Sequence, residues 1–97
     1  MKIDLETDID VIKGALAKWG YNTQVDIAIE EMSELIKALL KLRRSPSGSR
    51  VSDVEEEIAD VQIMIWQLCE IHDKSAVQDH IEYKLQRLKE RVENGNE

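Results

Sequence analysis

IEEMSELIKALL (Ile29–Leu40), read beside VEEEIADVQIMIWQL (Val54–Leu68), decides the fold, because both stretches have helical spacing and both carry acids among apolar residues. At about 100° per residue, Val25, Ala28, Ile29, Met32, Leu35, Ile36, Leu39 and Leu40 form a wide apolar arc on the earlier helix. A neighbouring stripe holds Ile27, Glu31, Glu34, Ala38 and Leu42, so two carboxylates sit in apolar company. Glu30 falls on the opposite, solvent-like side with Lys37 and Lys41. On the later helix Val54, Ile58, Val61, Ile65 and Leu68 define the core arc, and Ile63, Met64, Trp66 and Ile71 extend apolar surface nearly all round. Such a helix is buried on most sides. Glu57 lies inside that arc and Asp60 flanks it, whereas Asp53, Glu55 and Glu56 occupy the first turn, where the helix dipole favours acids.

Working outward, four helices are expected. The first runs from about Asp8 to Trp19 and stops at Gly20, a common left-handed terminator. The second starts after Asn22 or Thr23 as N-cap and runs to about Arg43. RRSPSGSR (Arg43–Arg50) is the one clear loop, marked by Pro46 and Gly48. The third begins at Ser52, with Glu55 completing a capping box, and continues to about His72. The fourth begins at Asp73 or Ser75 and frays near Gly95. No strand alternation or internal repeat appears, so residues 1–97 are read as one all-α domain with antiparallel neighbours.

Composition narrows the function. The formal charge of −7 disfavours nucleic acid and anionic membrane as partners. No apolar stretch is long enough to span a bilayer, and no basic-then-apolar leader opens the chain, so a cytoplasmic protein is expected. The single cysteine, Cys69, rules out an intrachain disulfide framework and reads as a buried thiol. Basic residues nevertheless gather at Lys37, Lys41, Arg43, Arg44 and Arg50, and again at Lys84, Arg87, Lys89 and Arg91. A small anion can be held by such clusters, with a metal between.

Acids on an apolar face cost several kcal/mol per ion unless something compensates them. Residues three apart on a helix are surface neighbours, so Glu31 with Glu34, and Glu57 with Asp60, form two facing claws if the helices pack antiparallel. A cation among the four would offset their repulsion. All-oxygen ligands suit Mg²⁺, or Mn²⁺, rather than zinc. The alternative is that these acids pair with Lys or Arg across a helix interface.

EEMSE (Glu30–Glu34) followed by EIAD (Glu57–Asp60) resembles the EExxE…ExxD signature of the MazG-like, all-α nucleoside triphosphate pyrophosphohydrolases. The likeness extends upstream through WGYNTQVDIAIEEMSELIKALLK (Trp19–Lys41), which is similar to the opening of the short members. The resemblance implies Mg²⁺-dependent conversion of a (d)NTP to the monophosphate and pyrophosphate, as in nucleotide-pool house-cleaning. It implies Glu31, Glu34, Glu57 and Asp60 as metal ligands and catalytic acids, and a homo-oligomer, either a dimer or a tetramer built as a dimer of dimers. The fourth helix, with EYKLQRLKER (Glu82–Arg91), is similar to the family's phosphate-contacting end.

Lys84, Arg87 and Arg91 share one stripe and are the phosphate-binding candidates, their alternative being a solvated face paired with Glu82 or Glu90. Arg43, Arg44 and Arg50 flank the loop and are weaker candidates for the same task. Trp19 and Gln24 are candidates for stacking on or hydrogen-bonding a base, although Trp19 also completes an apolar stripe of the first helix. Trp66 reads as core or subunit interface. Two other functions fit parts of the pattern: phosphoribosyl-ATP pyrophosphohydrolase, which shares the acid motifs, and a non-enzymatic helical oligomerisation module.

Overall fold

The computed structural model describes residues 5–95. They form four α-helices: α1 (Leu5–Trp19), α2 (Tyr21–Arg44), α3 (Gly48–Ile71) and α4 (Lys74–Asn94). No strand occurs among the described residues, and none of their helices is long and apolar enough to cross a membrane.

The expected helix starts differ at two places, each for a local reason. Gly20 alone separates α1 from α2: its N–H donates to the carbonyl of Leu16, and its own carbonyl accepts from the N–H of Gln24. One residue thus closes one helix and opens the next, and the Asn22 or Thr23 cap is not needed. Gly20 has φ 88° and ψ 160°, a region essentially restricted to glycine. At α3 the cap is Ser47, whose side chain accepts from the Arg50 N–H at 3.3 Å. Ser52 therefore lies inside the helix, and the expected capping box with Glu55 does not form. The loop shrinks to Ser45–Ser47. Asp73 caps α4 through Ala76, as expected, and Gly95 ends it in the left-handed conformation.

With so short a connector, α2 and α3 form an antiparallel hairpin of fixed register, the most intimate packing in the chain. At its open end Gln24 Nε2 donates to Gln67 Oε1 at 2.6 Å. At its closed end Arg50 Nη1 donates to the Lys41 carbonyl at 2.9 Å. Each step along α2, from Gln24 through Glu31 and Glu34 to Lys41, is matched residue for residue by the step back along α3 from Gln67 through Asp60 and Glu57 to Arg50. The register brings the two acid pairs to one level.

The face that α2 turns to α3 is not the wide apolar arc. Gln24, Ala28 and Ala38 are buried there and Glu31 is half-buried. Two alanines let α3 approach closely, because interaxial distance follows the side chains between the helices. Within the chain the arc faces outward: Ile29, Ile36 and Leu40 are 60, 59 and 52 % exposed. On α3, Val54, Met64 and Gln67 are buried, while Ile58, Ile63 and Ile65 are exposed. The expectation that Ile58 and Ile65 belong to the core arc is corrected accordingly for the single chain. Helix α1 lies against both α2 and α3, burying Ile12 and Leu16. Helix α4 touches only α3 and has no buried residue; Lys74 at its start pairs with Glu70 of α3.

Candidate metal and phosphate site

Midway along the hairpin Glu31, Glu57 and Asp60 converge. Each offers a carboxylate oxygen, and these three oxygens lie within 4.8 Å of one another. All three residues are half-buried. Among the described residues no lysine, arginine or histidine forms an ion pair with any of them. Salt bridging between helices of the same chain therefore does not account for their placement. Glu57 Oε2 is buried with no hydrogen-bond partner, an unfavourable state for a charged oxygen.

The electrostatics follow from this crowding. Partial loss of water holds the carboxyl groups of Glu31 and Glu57 above their usual range, and repulsion from Asp60 is the next cause for both. Glu34 pushes both in the same direction. Desolvation and like charges each disfavour the ionised form. A divalent cation placed among these oxygens would reverse both effects, and the oxygen-only donor set fits Mg²⁺ or Mn²⁺. The fourth expected acid, Glu34, is near enough to repel the others but accepts from Lys37 Nζ at 3.3 Å.

Beside the acids lies a cleft of about 300 Å³, lined by Glu34, Asp53, Glu56 and Glu57 and by Lys37, Lys41 and Arg50. Lys37 and Lys41, placed on the solvent-like side by the helical wheel, thus border the same space as two of the claw acids. The signal for them was present: Lys37 and Lys41 follow Glu34 by one and two turns, on one stripe. Long apolar stems let lysine ammonium groups reach round a helix.

The remaining candidates are scattered. Lys84, Arg87 and Arg91 are exposed on α4, which makes no contact with α2. Among the described residues none of them forms an ion pair; Glu82 and Glu90 accept instead from Gln78 and Gln86. Arg87 stacks over the Tyr83 ring at 5.9 Å. Arg43 and Arg44 are exposed at the end of α2. Trp19 is 55 % exposed, with the Lys18 ammonium 5.2 Å from its ring centre, and so is not a core residue of the chain. Gln24 is only 3 % exposed, and its amide N–H₂ is engaged by Gln67. Trp66 is half-buried and borders two apolar hollows against α1, of about 370 and 350 Å³. Comparison with family models, characterised proteins and solved structures finds no match, so the chemistry of the site is read from its own residues.

Proposed function

We propose that this chain is a Mg²⁺-dependent nucleoside triphosphate pyrophosphohydrolase of the MazG-like kind, converting a (d)NTP to the (d)NMP and pyrophosphate. One observation carries the proposal: three carboxylates converge with no basic ion-pair partner among the described residues, and one of their oxygens is buried and unpaired. A protein that only needed a stable hairpin would have apolar residues there. Glu31, Glu57 and Asp60 would hold the Mg²⁺, which would supply charge neutralisation to the phosphate oxygens for attack of water on the α-phosphorus. Glu34, at the edge of the cluster, is placed to complete the ligand set or to orient the water.

A homo-oligomer, dimer or tetramer, belongs to the same proposal. The radius of gyration is 16.3 Å, against about 13 Å for a compact chain of this size. Exposed isoleucines and leucines on α2 and α3, with Ile81, Leu85, Leu88 and Val92 on α4, leave much apolar surface for a second copy to cover. That surface alone would serve a non-enzymatic oligomerisation module equally well. Mg²⁺ separates the two, since a module whose acids form salt bridges between subunits should bind it only weakly and diffusely. House-cleaning of a cytoplasmic nucleotide pool is the corresponding role.

The test is hydrolysis of a panel of NTPs and dNTPs in ¹⁸O-labelled water with Mg²⁺. Pyrophosphate is expected as the released product, with the label in the monophosphate. Label in the pyrophosphate would move the attack to the β-phosphorus and overturn the mechanism; no turnover across the panel would overturn the function.

A further inference from the structure

We propose that the cleft beside the acid cluster is an anion subsite, in which Lys37, Lys41 and Arg50 hold the β- and γ-phosphates of the metal-bound triphosphate and then the departing pyrophosphate. The proposal rests on the metal reading above and assigns the triphosphate tail to the α2–α3 hairpin rather than to α4.

Continuity is the first support. Glu57 belongs both to the converging acids and to the cleft wall, and Glu34 lines the cleft next to them. A polyphosphate whose α-phosphate meets a cation on the acids has this cleft as its adjoining polar space. At about 300 Å³ it sits at the small end of the range for ligand pockets, which suits a phosphate chain better than a whole nucleotide.

Charge is the second. Four acids (Glu34, Asp53, Glu56, Glu57) face three cations (Lys37, Lys41, Arg50) in the lining. The formal balance is one negative charge, so a free anion gains little there. Glu31 and Asp60 of the adjoining cluster bring the balance to three negative charges, and one divalent cation reduces it to one. The cleft therefore selects a metal-bound polyphosphate over a free one, and the metal must be present before the anion is held.

The third is the state of the basic groups. Arg50 spends one N–H on the Lys41 carbonyl, which fixes the guanidinium at the closed end of the hairpin. Its other four donors remain for phosphate oxygens. Lys37 contacts Glu34 at 3.3 Å, but this is an exposed pair one turn apart, of a kind that holds a side chain weakly. Lys37 can exchange that partner for a phosphate. Lys41 has no ion-pair partner among the described residues.

The experiment is calorimetric titration of the full chain with Mg²⁺ alone, then with inorganic pyrophosphate at saturating Mg²⁺. Wild type is compared with Lys37→Gln, Lys41→Gln, the double variant, Arg87→Gln, and Lys13→Gln on α1 as a charge control. Both lysines of the cleft are exposed helix residues, so glutamine keeps the fold. Mg²⁺ affinity is expected to stay equal or rise in the lysine variants, because a repelling positive charge has gone. Pyrophosphate affinity should fall about tenfold for each lysine, and stay unchanged in Lys13→Gln. Unchanged pyrophosphate binding in the double variant overturns the subsite while leaving the metal site standing. A fall confined to Arg87→Gln overturns it in favour of α4. A wild type that takes up no Mg²⁺ overturns the metal reading and the subsite together.

Discussion

The two faces of α2 invert the usual rule. The face turned to α3 carries Gln24 and Glu31 between alanines, and the face turned outward carries Ile29, Ile36 and Leu40. Ordinary surface helices bury the apolar stripe and expose the polar one. Here the chain's own hairpin encloses the chemically costly residues, and the hydrophobic driving force is left for contact outside the chain. The difference teaches that the costly polar residues and the apolar surface have been separated on one helix. In the proposed oligomer, association would compensate an inner face that contributes little stability by itself.

The comparison breaks most directly at Glu57. Glu57→Gln keeps the shape, removes one repelling charge and deletes one proposed metal ligand. Turnover should fall at least about 100-fold, since even partners one step removed from a metal commonly cost 10–100-fold. Without metal the variant should melt at or above the wild-type temperature. Mg²⁺ should raise the wild-type Tm more, because only binding to the folded state stabilises it. Glu56→Gln, exposed beside it, tests the position rather than the charge and should change metal-dependent stabilisation little. A Glu57→Gln protein that melts far lower without metal and still turns over would make Glu57 a structural partner and end the claw reading.

The outer face is tested by Ile36→Lys. In an isolated chain this exposed position should tolerate the change within about 0.5 kcal/mol. If a second copy covers it, an unpaired ammonium is forced into an apolar contact, and association should weaken by about 100-fold. Sedimentation velocity against concentration decides; unchanged sedimentation would remove α2 from the interface.

Gln24 and Gln67 sharpen the same contrast on the inner face. Gln24→Leu strands the Gln67 amide, and should cost about 1–3 kcal/mol. Gln24→Leu with Gln67→Leu removes both polar groups, together with the unpartnered Gln24 Oε1, and should recover most of that loss. Urea unfolding of the two singles and the double measures the coupling. Additive losses would mean that the amide pair is not a unit.

The smallest expected effect is on pH dependence. Glu31 and Glu57 have raised carboxyl pKa values when folded, so the folded chain holds their protons more tightly than the unfolded chain. Stability from these groups is therefore fully present below the usual carboxylate range and is lost as pH rises from there through their raised folded values. In chelator, the wild-type Tm should climb modestly on acidification over that window, and Glu57→Gln should flatten the slope. An equal slope in the variant would place its origin elsewhere.

Much of this was legible in the sequence. Helical periodicity gave four helices, and the acid pairs stood out because Glu31 and Glu57 interrupt apolar stripes. The facing claws were legible, but the wheel could not show that the wide apolar arc lies outside the chain's own core, because periodicity registers all apolar surface without saying whether the chain itself covers it. Ile29 and Ile36 look like core for that reason. Ser52 with Glu55 had the residues of a cap, but Ser47 took the task earlier, where the turn after Pro46 ends. Lys37 and Lys41 were assigned to solvent because a wheel fixes the direction of Cβ and not the reach of a long side chain. Which α3 residue stands opposite Glu31 depends on contacts between the two helices, such as Gln24 with Gln67 and Arg50 with the Lys41 carbonyl, which composition alone does not define.

The connector between α2 and α3 determines which changes of chain length the protein can absorb. Lengthening Ser45–Ser47 leaves every partner across the hairpin in place, and doubling a loop costs only about 0.6 kcal/mol in closure entropy. One residue added between Arg50 and Glu57 would instead turn all of α3 beyond it by about 100°, carrying Glu57, Asp60 and Gln67 away from α2 together. Descendants of this chain should therefore vary freely in the length of the connector, and hardly at all in the distance from Arg50 to Glu57 or within either acid motif.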